Sequence, residues 1–185
     1  AVASGAGLVA WSGFSAANYL EQPYNSDLDF GTGDFCVMGW VQTGALVSAT
    51  YYLVDRSDGD GTPRFYLNVN GAALNLVTYA DGAGYSELDS SASAIAASTL
   101  YHICAGRNSA GMFLYVNGVS NVGASATPTT ARNLTSVSLA APITLGASYT
   151  HANPFNGSMA LWRISATAPS ADQIAHIYRT ELPLF

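Results

Sequence analysis

Three groups of residues in this chain have types and spacing that bear on chemistry: a run of aspartates, scattered glutamates and histidines, and a set of tyrosines. The aspartates stand in Asp55-Arg56-Ser57-Asp58-Gly59-Asp60-Gly61. Asp55, Asp58 and Asp60 would put three hard oxygen ligands in one loop. The glycines let the backbone turn so that carbonyl oxygens can join them, and calcium takes such a donor set. Calcium is therefore the one cofactor to which the sequence points. The same residues also suit a tight turn between extended segments at 51–55 and 64–69, with Arg56 or Arg64 balancing the charge. The spacing of an EF-hand and its bidentate Glu are missing.

Catalysis finds less to work with. A retaining glycosidase needs two carboxylates about 5 Å apart, whereas Glu21, Glu87 and Glu181 are far apart in sequence, two in expected loops and one in an expected helical tail. His102, His151 and His176 belong to no Ser or Cys motif with a nucleophile elbow. His102 is expected as a hydrogen-bonded core residue and His176 on a helix surface. No catalytic residue is assigned, and the chain is read as a non-enzyme. The tyrosines are more suggestive. Tyr51, Tyr52, Tyr79, Tyr85 and Tyr149 lie at or near expected strand ends and loops, where a ring face can stack on a pyranose while Asp or Asn holds its hydroxyls. Trp40 either lines a sheet face in the same way or, with Trp162, belongs to the core.

The elements that must position these residues are short apolar runs, broken about every ten residues by Gly, Asn, Asp or Pro, the pattern of a sandwich or barrel. Asn70-Gly71 and Asn117-Gly118 each follow an apolar run, and each predicts a type I′ hairpin turn, since Asn-Gly tolerates positive φ. Residues 34–42 are apolar at both parities, with Phe35, Val37 and Val41 one way and Cys36, Met38 and Trp40 the other. That predicts a central strand covered on both faces. Residues 100–107 read similarly, and 121–135, rich in Ser, Thr and Ala, as a long loop. One helix is expected, at about 170–181: Ser170 and Gln173 form a capping box after Pro169, and Ile174, Ile177 and Tyr178 form one apolar stripe.

Composition bounds the partners. Lys and Arg together number 6 against 12 Asp and Glu, all six cations are Arg, and the net charge is −6. Nucleic acid is not an expected partner, because binding it needs clustered cations, and no apolar run approaches the roughly 20 residues that insert across a membrane. Charged residues are only 10% of the chain, so much of the surface is either hydroxyl-rich or in contact with other molecules. Residues 1–185 are read as a single jelly-roll domain, a fragment or subunit of a larger assembly. The opening stretch, 1–10, reads as a processed or cut end.

Four segments in order resemble laminin G-like domains of the concanavalin A-like superfamily: Asp34-Phe35-Cys36-Val37-Met38-Gly39-Trp40-Val41, Leu100-Tyr101-His102-Ile103-Cys104-Ala105-Gly106-Arg107, Leu114-Tyr115-Val116-Asn117-Gly118, and Phe155-Asn156-Gly157-Ser158 through Arg163-Ile164. The resemblance implies an all-β fold, a two-sheet antiparallel jelly-roll sandwich with one short C-terminal helix. Where many members carry an Asp-Glu pair in the closing strand, this chain has Ala160-Leu161. Cys36 and Cys104 fall on the two strands that a disulfide joins in pentraxins, more distant relatives. Cys36 sits two residues too early, however, and residues diagonal by two are roughly 7 to 8 Å apart, which favours two buried thiols.

The ending, Arg163 through Tyr178 and then Glu181-Leu182-Pro183-Leu184-Phe185, resembles the close of such domains in virion proteins of tailed bacteriophages, in tail fibres and decoration proteins. This implies a non-enzymatic virion module that binds a host surface glycan or neighbouring virion subunits, is homo-oligomeric, and is located in the virion or outside the cell. The alternative is a carbohydrate-binding module of a secreted bacterial protein, and after it a glycoside hydrolase.

Overall fold

The structure is a computed structural model that describes residues 8–46, 49–57, 59, 64–80, 84–123, 131–136 and 140–185. Among the described residues twelve strands form two antiparallel sheets. In chain order they are β1 (Trp11–Ser12), β2 (Leu20–Gln22), β3 (Phe35–Thr43), β4 (Thr50–Arg56), β5 (Arg64–Asn70), β6 (Ala73–Ala80), β7 (Gly84–Asp89), β8 (Leu100–Asn108), β9 (Gly111–Val116), β10 (Val119–Ser120), β11 (Ile143–Leu145) and β12 (Gly157–Ser165). The first sheet has the order β1-β12-β3-β8-β9-β10 and the second β2-β11-β4-β5-β6-β7. The expected jelly-roll sandwich is present, with α1 (Ala171–Glu181) closing the chain.

Alternation explains the layers. Phe65, Leu67 and Val69 on β5, Leu74 and Leu76 on β6, and Val37 and Val41 on β3 point between the sheets and are almost fully buried. Each such side chain contributes about 1.5–3 kcal/mol on leaving water. Buried arginines close the ends of this core. Arg56 pairs with Asp29 and donates to the Leu134 carbonyl at 2.9 Å, and Arg107 donates to the Gly31, Gly33 and Arg132 carbonyls.

As expected, β3 is covered on both sides. Cys36 and Met38 point away from the sandwich and pack, with Cys104, under Ile174 of α1. The helix starts on the capping box, Ser170 Oγ accepting from the Gln173 amide and Gln173 Oε1 from the Ser170 amide. Cys36 stands opposite Gly106, diagonal to Cys104, and the two are free buried thiols with sulfurs 3.4 Å apart. The hydrogen bond with Cys36, and then burial, pushes the Cys104 thiol far above its usual range.

The two Asn-Gly sequences differ. At β9–β10, Asn117 and Gly118 both have positive φ (51° and 77°), as a type I′ turn requires. At β5–β6, Asn70 pairs with Ala73 inside the ladder, and only Gly71 (φ 62°) is left-handed. The turn has moved one residue along, to Gly71-Ala72, with glycine first as in type II′. In β12 a bulge between Ala160 and Arg163, with Leu161 at φ 53°, sends Trp162 across β3. Its indole lies 2.7 Å from where a Cβ on Gly39 would be, so Gly39 leaves the space that Trp162 fills.

Candidate functional site

The outer face of the second sheet carries the densest set of polar and aromatic side chains. Residues paired across β4, β5, β6 and β7 share a face, so Asp55, Tyr66, Val77 and Glu87 form one row, Asn68, Asn75 and Asp89 a second, and Arg64, Tyr79 and Tyr85 a third. Thr144 on β11 and Glu21 on β2 continue the first row. All of these side chains point away from the core. Even so, Asp55 is only 1% exposed, Asn68 5%, Asn75 8% and Thr144 0%. The face is recessed because the segment after β11 folds over β4. There the Tyr149 amide donates to Asp55 Oδ2 at 3.0 Å, and the Tyr52 amide donates to the Asn153 carbonyl at 3.1 Å.

Across this recess runs a line of tyrosines. Ring centroids are 5.3 Å apart from Tyr52 to Tyr66, 6.3 Å from Tyr66 to Tyr79 and 5.4 Å from Tyr79 to Tyr85, with successive planes tilted by 56°, 33° and 33°. The Arg64 guanidinium lies 4.3 Å from the Tyr79 centroid and 5.5 Å from that of Tyr66, a cation–π arrangement. Tyr52, Tyr66 and Tyr79 are half-buried and Tyr85 is exposed. Burial pushes the Tyr66 phenol well above its ordinary value, reinforced by Tyr79 and Tyr52, and burial and then Asp55 raise Tyr52. These hydroxyls therefore remain hydrogen-bond donors at neutral pH. Burial opposes the Arg64 charge, but its bond to Tyr79 and the Asp55 carboxylate outweigh that and hold its pKa above the usual value.

On this sheet, Asn68 Oδ1 on β5 and Thr144 Oγ1 on β11, beside Asp55, are buried and have no hydrogen-bond partner. A buried polar atom left in this state costs about 1–3 kcal/mol, and a ligand hydroxyl reaching the floor would remove that cost. Along β7, Glu87 and Asp89 both accept from the Asn75 side-chain amide, at 2.5 Å each. A recess of about 590 Å³, lined by Asn70, Asn75, Asp89 and Ser91 among others, continues the face at this end.

The expected tyrosines divide. Tyr52, Tyr79 and Tyr85 come together in the row, while Tyr149 contributes its backbone amide at the rim. Tyr51 instead turns inward opposite Val69, is 9% exposed and packs in the core, because the parity of β4 sends it there. Tyr66 was missed. The signal for it was present in Arg64-Phe65-Tyr66-Leu67-Asn68-Val69, whose strict alternation puts Tyr66 and Asn68 on the face opposite the core.

Asp55 is not part of a loop but a buried strand residue on the recessed face; Asp58 and Asp60 lie outside the described residues. Among the described residues no group of three or more His, Cys, Asp or Glu is placed to hold a metal. Glu21 and Glu87, expected in loops, are on strands β2 and β7. Glu87-Leu88-Asp89 puts two acids on one face of an edge strand, but both accept from the same amide, that of Asn75.

The opposite outer face is covered around Trp40, while beside α1 a groove of about 820 Å³ opens along Cys36, Met38, Arg163 and Ile177. Trp40 is 1% exposed and donates to Glu181 Oε2 at 2.8 Å; Glu181 also pairs with Arg163. Phe185 packs on Trp40 at 4.6 Å between centroids. His102 is buried between Trp40 and Tyr178, but neither ring nitrogen has a partner, contrary to the expected hydrogen-bonded histidine. Burial lowers its pKa to about 4. His176 is exposed on the helix, as expected.

Three solved structures are similar to this one in fold. The CBM40 of Ruminococcus gnavus IT-sialidase has a TM-score of 0.66 at 14% identity, covering 94% of this chain and 100% of that one. A native heptameric SAP-like pentraxin from Limulus polyphemus has 0.61 at 12% identity, covering 91% and 80%. The botulinum neurotoxin serotype C1 binding domain has 0.56 at 12% identity, covering 80% and 36%, so this chain matches about a third of that length. No curated protein matches the sequence. The sequence profile of the concanavalin A-like lectin/glucanases superfamily matches residues 14–175, from before β2 to the first turn of α1, and the chain belongs to that family.

Proposed function

We propose that this chain is a non-catalytic glycan-binding module whose site is the tyrosine row on the outer face of β4–β7. The observation that carries the reading is the combination, on one recessed face, of Tyr52, Tyr66, Tyr79 and Tyr85 with the unpartnered buried oxygens of Asn68 and Thr144. Rings supply apolar stacking surface and the oxygens fix hydroxyls, the two ingredients of a sugar site. The similar folds include a sialidase CBM40 and toxin binding domains, which supports binding rather than turnover. Glu87 and Asp89 accept from one amide on the same side of the face, an arrangement that favours binding over turnover.

The module belongs, in this reading, to an extracellular assembly, a tailed-phage virion, where it attaches to a host surface glycan. The support for that setting is the C-terminal segment from Arg163 to Phe185. A second reading, contact with neighbouring subunits in a homo-oligomer, is favoured by Val9 (72% exposed), Trp11 (55%) and Phe185 (48%).

Labelled domain should bind glycans or bacterial cells equally with calcium and with chelator, and a Tyr66→Ala, Tyr79→Ala double variant should lose binding. Loss with chelator alone would move the site to a calcium centre near Asp58 and Asp60. Absence of binding under every condition, with a stable oligomer, would replace adhesion by the subunit-contact role.

A further inference from the structure

Resting on that reading of the tyrosine face, we infer that its ligand is a single linear chain of three or more uncharged sugar units, laid diagonally across β4, β5, β6 and β7. The row has one ring per strand, and the steps of 5.3, 6.3 and 5.4 Å between centroids are comparable with the length of one sugar ring in a chain. A lone monosaccharide would cover one ring and leave the others bare.

The tilt decides between a single chain and a packed surface. Planes tilted by 56°, 33° and 33° from one tyrosine to the next do not lie together on a flat crystalline face. A solvated chain that turns along its axis meets each ring in succession.

Charge decides the chemical class. Asp55, Glu87 and Asp89 stand on this face, with Glu21 at its margin, and Arg64 is the cation among them. Arg64 is already spread over the Tyr79 ring and held by the Asp55 field. A chain of uronic or sialic units would bring repeated negative charge against three carboxylates, whereas hydroxyls can donate to those carboxylates and to Asn68 Oδ1 and Thr144 Oγ1. The guanidinium lies over the Tyr79 and Tyr66 rings as a flat donor plane.

The test is a panel of immobilised neutral chains (gluco-, manno-, galacto-, xylo- and N-acetylhexosamine series) graded from one to six units, together with oligouronates and sialylated chains of matching length and crystalline cellulose. Dissociation constants of the bound series should fall about two- to tenfold per added unit, the worth of one aromatic contact, and level off at about four. Tyr85→Ala, at an exposed edge where the fold tolerates change, should make the tetramer bind like the trimer and leave shorter chains unaltered. Equal binding of one and four units, tighter binding of the acidic chains, or retention on crystalline cellulose would overturn the inference while leaving glycan binding intact. No binding to any member, by a folded protein, would overturn the glycan reading itself.

Discussion

The two outward faces of this sandwich start from similar material and end differently. Both carry aromatic rings beside carboxylates and an arginine. On the first sheet, Trp40 and His102 lie under Tyr178 and Phe185, and Glu181 reaches back from the helix end to bond the Trp40 indole. On the second, no helix among the described residues covers Tyr52, Tyr66, Tyr79 and Tyr85, and the buried Asn68 Oδ1 and Thr144 Oγ1 lack partners. An aromatic cluster covered by its own chain stabilises the fold; one left open, with unmet hydrogen bonds below it, keeps its favourable contacts for something else.

This contrast breaks most sharply by truncation. Trp40→Ala should cost about 3–5 kcal/mol of unfolding free energy in urea melts, the range for removing a large buried aromatic, and leave glycan affinity within a factor of two. If Trp40→Ala abolished binding in a protein that still melted cooperatively, the covered face would share in the function.

Acid sharpens the comparison next. Because the folded-state pKa of His102 is lowered to about 4 from 6.5, the unfolded chain takes up the proton first. The stability due to neutral His102 is thus fully present above pH 6.5 and is lost as pH falls through that value towards 4. At the full shift the loss is at most about 3 kcal/mol. His102→Leu should flatten the urea midpoint between pH 7 and pH 4. An unchanged slope in that variant would place the acid sensitivity elsewhere.

The smallest expected effect is at the helix start. Ser170→Ala removes one half of the capping box and should cost about 1 kcal/mol. By hydrogen exchange the loss should be confined to α1 and the β3–β8 face beneath it, with β4–β7 unchanged. Exchange that quickened equally over both sheets would mean that the two faces unfold as one unit.

Much of the fold was legible because short-range rules governed it. The two-sided apolar pattern of residues 34–42 required cover on both faces, and the Ser170–Gln173 box with its stripe of Ile174 and Ile177 supplied the covering helix. Asn117-Gly118 made its turn because Val116 and Val119 pair around it. Asn70-Gly71 did not, because the ladder to Ala73 was extended by one residue and drew Asn70 into the strand. The passage of Trp162 over Gly39 could not be read locally either. It depends on a bulge in β12 meeting a glycine 123 positions earlier on a strand that only the sheet makes its neighbour.

The site divides along the same line. By itself the sequence determined that the chain has a surplus of acid, rings spaced along strands, and a face alternating Arg64, Tyr66 and Asn68 against Phe65, Leu67 and Val69. It could not say which tyrosines would meet, because register between β4, β5, β6 and β7 is set by cross-strand pairing and by the bulge at Tyr52–Val54. That pairing put Tyr51 in the core and Tyr52 in the row. Only the tertiary structure decided that one sheet face would be partly covered by the chain's own end and the other not, since a helix can cover just one side of a sandwich.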